Sequence, residues 1–139
     1  MKIKRKALLN ALELIKPGLA KKQIIESEKD FIFTGVDIFT YNSQMSIFHP
    51  FETDFKCSVP SFEFYNVLKN IKEDEIEISV SGDKLNIKSE KTKANISISN
   101  AKKILEIISS FDFNKIMDNL SPLPKRFLEG VELCLFSAS

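Results

Sequence analysis

The chain has 139 residues, 43% of them apolar and 28% charged, with 20 basic and 19 acidic side chains for a net charge of +1. That apolar share suffices for a core in which twelve Phe and no Trp supply the large aromatic volume, and only four Gly and five Pro exclude a low-complexity or disordered chain. The near-balance of charge argues against a tight, sequence-independent nucleic-acid binder of the histone-like kind.

From the N-terminus, "MKIKR" reads as a strand leading into "KALLNALELIK", where Leu8, Ala11, Leu12 and Ile15 fall on one helical face over residues 6–16. Pro17 and Gly18 stop that helix. The basic start and apolar run mimic a secretory signal, but Asn10 and Glu13 interrupt the run and helical spacing explains it better. The loop "GLAKK" precedes three strand-like runs, "QIIES", "DFIFTGVD" and "QMSIFHPF". The pattern then restarts. "FKCSVP" reads as a strand closed by Pro60, and "SFEFYNVLKNIK" as a helix over 61–72 with Ser61 as N-cap and Phe64, Val67, Leu68 and Ile71 buried. Ile76, Ile78 and Val80 alternate with polar residues, Gly82-Asp83 turns the chain into "KLNIKSE", and "KANISIS" alternates Ala94, Ile96 and Ile98.

Strand–helix–strand–strand–strand thus occurs twice, over roughly residues 1–50 and 52–99, which implies two similar halves about a pseudo-twofold axis. The expected class is α+β, with helices on one face and antiparallel sheets outside. Residues 100–121 read as a connector with some helical character. "SPLP" and "KRFLEGVELCLFSAS" then open the pattern a third time, with Phe127, Leu128, Val131, Leu135 and Phe136 as an apolar stripe. The expected division is a domain over 1–100, a connector over 101–121 and the start of a second domain over 122–139. Nothing approaches the length of a transmembrane helix. Two isolated thiols, Cys57 and Cys134, fit a reduced cytoplasmic setting.

Residues 1–22 hold Lys2, Lys4, Arg5, Lys6, Lys16, Lys21 and Lys22 against the single acid Glu13, while acids gather at Glu73, Asp74, Glu75 and Glu77. Such asymmetry makes one face of a neutral protein locally basic if folding lines the lysines up, and is otherwise an ordinary solvated surface.

In order and spacing over nearly the full length, several segments resemble the bacterial DNA polymerase III beta sliding clamp. They are the opening strand and helix with its "ALL" turn, "FTGVD" (Phe33 to Asp37), "VPSFEFYNVLK" and "EIEISVSGDKLNIKS". The resemblance is to the N-terminal domain plus the first helix of the second. It implies a DNA-clamp fold and a processivity factor that encircles duplex DNA of any sequence, within a head-to-tail homodimeric ring. It also implies that polymerase and clamp loader dock on domains absent from this chain, which is expected to be an N-terminal fragment or a naturally shortened relative.

By the same resemblance, Lys22, with Lys21 beside it, matches a DNA-touching loop position, and Lys69 matches a basic position on the second helix. Lys6, Asn66 and Lys72 lie on or beside the same helix faces. Phe62 stands where many clamps carry a basic residue. Ala94 and Ile96, flanked by Lys93, match the strand that pairs with the neighbouring subunit. A clamp performs no chemistry, so neither catalytic residue, metal nor cofactor is expected.

Three other readings compete. An enzyme would need more than His49 in an apolar run and the adjacent acids Glu73, Asp74 and Glu75, since no nucleophile triad, phosphate loop or Cys/His metal spacing is present. A single-stranded-DNA binder needs exposed aromatics among basic residues, whereas most Phe here fall on core positions. A clamp-like protein-interaction module that never encircles DNA fits the neutral charge, Glu13 and Phe62.

Overall fold

Two short strands each hand directly into a helix, and that repeated step organises the chain. The computed structural model describes residues 1–111, 118 and 120–137, with Phe136 and Ser137 described by backbone alone. β1 (Lys2–Lys4) runs into α1 (Arg5–Ile15), and β5 (Cys57–Pro60) runs into α2 (Ser61–Asn70). With no residue between strand and helix, the first helical N–H needs a carbonyl from elsewhere. Arg5 donates its N–H to the Asp74 carbonyl at 2.6 Å, and Ser61 donates its own to the Lys29 carbonyl at 3.1 Å. Each carbonyl directly precedes a strand of the other half. Ser61, expected as N-cap, is instead the first helical residue after Pro60, and no side chain caps α2.

Superposing Arg5 on Ser61 places Leu8 on Phe64, Leu12 on Leu68 and Ile15 on Ile71. All six are almost completely buried in one core. The halves exchange their first strands. β2 (Asp30–Phe33), β3 (Asp37–Asn42) and β4 (Met45–Pro50) form an antiparallel meander completed by β5, in the order β4-β3-β2-β5. β6 (Glu75–Ser81), β7 (Lys84–Lys88) and β8 (Lys93–Ser97) form another completed by β1, in the order β1-β6-β7-β8. Ile3 sits opposite Ile76 and Val59 opposite Phe31, so each exchanged strand sends an apolar side chain into the shared core. A bridge between Ser58 and Ser99 links the two sheets at one end.

The expected α+β arrangement of two strand–helix–three-strand halves is present, with β1, α1 and β4 where expected and the two strands between α1 and β4 placed differently. "QIIES" is a loop rather than a strand. The Glu28 carboxylate accepts the N–H groups of Ile24 (2.6 Å) and Ile25 (2.9 Å), and Ser27 adopts a left-handed φ of 70°, both incompatible with a ladder. "DFIFTGVD" is not one strand either. Gly35 at φ +99° and Thr34, whose hydroxyl oxygen accepts the Asp37 N–H at 3.0 Å, make it the hairpin turn from β2 to β3.

α1 ends in a 3-10 turn over Lys16–Gly18, and β3 holds that end. Thr40 Oγ1 donates to the Ile15 carbonyl at 2.6 Å, and Asn42 Nδ2 to the Gly18 carbonyl at 3.1 Å. The β6–β7 turn has only two residues, with Gly82 at φ +59° where a tight hairpin favours glycine.

α3 (Lys102–Ser109) opens the segment expected as a connector. Ala101 and Ile104 pack on Ile32 and Phe39, on the face of β2 and β3 that points away from α1 and α2. All four residues of β2 are therefore buried, whereas β6 alternates exposed Glu75, Glu77 and Ser79 with buried Ile76 and Ile78. The first compact unit runs from Met1 to Ile108 and the second from Ser109 to Ser139. The second contains α4 (Phe127–Ser137), on which Phe127, Leu128, Val131 and Leu135 are exposed. Phe136, the remaining member of the expected stripe, has a side chain outside the described residues. No helix among the described residues is long and apolar enough to cross a membrane.

Candidate nucleic-acid interface

α1 and α2 bury one face against the sheets and leave the other exposed. On α1 the exposed face carries Lys6, Asn10, Glu13 and Leu14, and on α2 it carries Phe62, Glu63 and Lys69. Folding divides the basic N-terminal stretch between separate jobs. Lys2 and Lys4 flank the buried Ile3 on β1 and so point to the outer sheet face, where Lys2 pairs with Glu75 at 3.2 Å. Arg5 donates from Nε to the Glu73 carbonyl at 2.9 Å and from Nη1 to the Leu68 carbonyl at 3.3 Å. It thereby ties the start of α1 to the end of α2, where a cation suits the partial negative charge of the helix C-terminus.

Four of the residues singled out for DNA sit in two places. Lys6 begins α1 beside the α2–β6 loop, its N–H donating to Asp74 Oδ1 at 3.3 Å, and Lys72 lies exposed in that loop. Lys21 and Lys22 are exposed in the loop after α1, which is held by the Ala20 N–H to the Glu28 carbonyl at 2.9 Å and by the Glu28 carboxylate. Asn66 is half-buried on α2.

Lys69 has a more particular setting. Its Nζ lies 4.6 Å from the centre of the Tyr65 ring, one helical turn earlier, and Lys16 Nζ lies 4.5 Å from the same ring. Lys16 also sits 3.8 Å from Glu13 Oε2. Tyr65 thus draws a lysine from the end of α1 and a lysine from α2 onto one ring, a cation–π arrangement worth about 0.5–1 kcal/mol per pair at an exposed site. The Tyr65–Lys69 spacing of one helical turn is visible in the sequence. Lys16 is not, because the contact crosses between elements.

β8 is an edge strand, with Lys93 exposed, Ala94 half-buried opposite Ile87 and Ile96 opposite Leu85. Ile96 is committed to the core of its own unit, so its side chain is not at the edge. The acids Glu73, Asp74 and Glu75 are each occupied separately: Ser89 Oγ donates to Glu73 Oε2 at 3.3 Å, Asp74 accepts from Lys6, and Glu75 pairs with Lys2. Hydrogen bonding, first to its own backbone and then to Ser89, holds the Glu73 carboxyl below its usual value. No group of three His, Cys, Asp or Glu among the described residues is arranged to hold a metal ion. His49 is half-buried on β4 opposite Ile38.

No protein-family model matches the sequence, and no curated protein matches it by sequence. Solved structures do match. The Thermotoga maritima DNA polymerase III beta subunit is 20% identical, with a TM-score of 0.63 over 72% of this chain and 30% of its own. A Helicobacter pylori beta clamp, solved bound to a DNA ligase peptide, is 17% identical, with a TM-score of 0.59 over 73% of this chain and 31% of its own. A Pseudomonas aeruginosa DNA polymerase III beta subunit is 15% identical, with a TM-score of 0.60 over 90% of this chain and 32% of its own. This chain therefore spans less than a third of the length of these proteins. At such identities the likeness is one of fold, and the fold is that of the DNA polymerase III beta-subunit sliding clamp.

Proposed function

We propose that the unit Met1–Ile108 is the N-terminal domain of a sliding clamp. In this reading the clamp encircles duplex DNA and tethers a replicative polymerase, and the segment from residue 122 opens a second domain of the same kind. The observation that carries the reading is the pair of four-stranded sheets with exchanged first strands, backed by two equivalent helices, in a chain whose fold matches sliding clamps. Its exposed helices and loops offer Lys6, Lys21, Lys22, Lys69 and Lys72 as separate surface charges. Attraction of dispersed lysines to phosphates is long-ranged and salt-screened, and it is equal at every step along a duplex, which suits sliding better than gripping. The role is a scaffold's and carries no reaction. A cytoplasmic location, a head-to-tail ring closed in part through β8 with Ala94 and Lys93, and polymerase and clamp-loader docking on further domains all belong to this reading.

The test uses the natural reading frame expressed to its own stop codon, loaded with a clamp loader onto nicked circular DNA that is then linearised. Release on linearisation supports encirclement. Retention that ignores DNA ends but falls with salt indicates direct binding instead. No association with a competent loader present favours a clamp-like interaction module, to which the exposed Phe62 (78%) on α2 and Leu14 (62%) on α1 would contribute.

A further inference from the structure

We propose that Lys16 and Lys69, gathered on the ring of Tyr65, form a paired contact for a phosphodiester backbone, with Lys16 as a DNA-contacting residue and Tyr65 as the residue that positions the pair. The inference rests on the clamp reading above and extends it from Lys69 to Lys16 and Tyr65.

Three observations carry it. Both ammonium groups lie within 4.6 Å of one ring centre, so they are at most roughly 9 Å apart although they come from different helices. Two cations gathered on one ring repel each other, and a phosphodiester backbone passing alongside them offsets that repulsion with its own negative charge. The nearest acid offers little relief, because Glu13 approaches only Lys16, at 3.8 Å, with both side chains half exposed. Finally, Tyr65 on α2 is only 9% exposed, so its ring is a fixed platform, while Lys16 and Lys69 are exposed.

Fixing the lysines in advance matters because a free lysine side chain gives up up to about 2 kcal/mol of rotamer entropy when it is localised. A ring that already restrains both reduces that loss on binding. The ammonium remains a point charge with rotatable donors, so the contact has no preferred register along a duplex, unlike the planar fork of an arginine. Phosphate oxygens are the chemistry such a pair recognises, and base edges are not, since nothing here presents a bidentate fork to a groove.

At 15.8 kDa the whole chain suits nuclear magnetic resonance, with lysine Nζ and tyrosine ring signals followed as a short duplex is added at low salt. The expected result is that the signals of Lys16, Lys69 and Tyr65 move together and return when salt is raised. Lys16→Gln should lower the slope of log affinity against log salt by about 0.9, the loss of one phosphate contact. Tyr65→Leu should lower it with both lysines still present, and Tyr65→Phe, which keeps the ring, should restore it. Should Tyr65→Leu fail to fold, Lys16→Gln and the chemical shifts of the unaltered chain still decide. If the duplex moves Lys21 and Lys22 but neither Lys16 nor Lys69, the paired contact is wrong while the clamp reading stands. If no signal moves at any salt, the paired contact is wrong, and the clamp reading, which rests on encirclement, is decided by the linearisation experiment.

Discussion

Gly18 sits where α1 must end against β3 with no room to spare. A Cβ there would fall on Thr40 Oγ1 and lie 3.1 Å from Ile47 Cγ1, and Thr40 is the residue that caps the Ile15 carbonyl. Gly18→Ala should therefore displace the hydroxyl and cost about 1–3 kcal/mol, read as a lower denaturation midpoint at unchanged m-value. The sequence marks Pro17-Gly18 as a helix stop, but the reason for the glycine is a strand that lies more than twenty residues ahead. Cys57 poses a different question of environment. Burial pushes its thiol up from 9.0 to about 12. The folded state therefore favours the protonated form, and this contribution is fully present below the unfolded value and is lost as pH climbs from about 9 to about 12. Cys57 should resist alkylation at pH 8 until the chain unfolds, whereas Cys134 is exposed. Pulsed alkylation read by mass spectrometry separates the two, and rapid Cys57 labelling in the native chain would contradict the buried placement.

Elements differ in how far their local signals carry. The helices, β6 and β7 follow their apolar period, because each buries one stripe or one face and the pattern records it. The two middle strands of the first half, β2 and β3, do not. β2 is buried on both faces and so shows no alternation, and the true turn lies inside "FTGVD", where Thr34 and Gly35 supply it. The cause of the double burial is α3, which covers only the sheet containing β2 and β3 and so breaks the equivalence of the halves. Ile104 is fully buried there among Ile32, Phe39 and Ala101. Ile104→Ala should cost about 2–5 kcal/mol, while Leu105→Ala, one residue along and 45% exposed, should cost much less. Equal effects of the two substitutions on the denaturation midpoint would show that α3 is an appendage rather than part of the core.

Across the whole molecule, a net charge of +1 conceals a division of labour among the basic residues. Arg5 is spent on the end of α2, and Lys2 and Lys4 face outward from the sheet, while Lys6, Lys16, Lys21, Lys22, Lys69 and Lys72 are the residues proposed above to meet a duplex. With about 0.9 in slope for each phosphate contact, the fall of log affinity with log salt should be no steeper than about 5 for one copy of this chain. A clearly steeper slope in a fluorescence titration would mean that other basic residues, such as those on the sheet, also touch DNA. The sequence alone carried the twofold repeat, the helix stripes, the Gly82 turn and the clamp-like order of motifs, because each of these is written in local period or spacing. The exchange of β1 and β5 between sheets, the burial of β2 under α3, and the meeting of Lys16 with Lys69 on Tyr65 are contacts between residues distant in the chain. No local window contains both partners of such a contact, so packing had to bring them together before they could be seen.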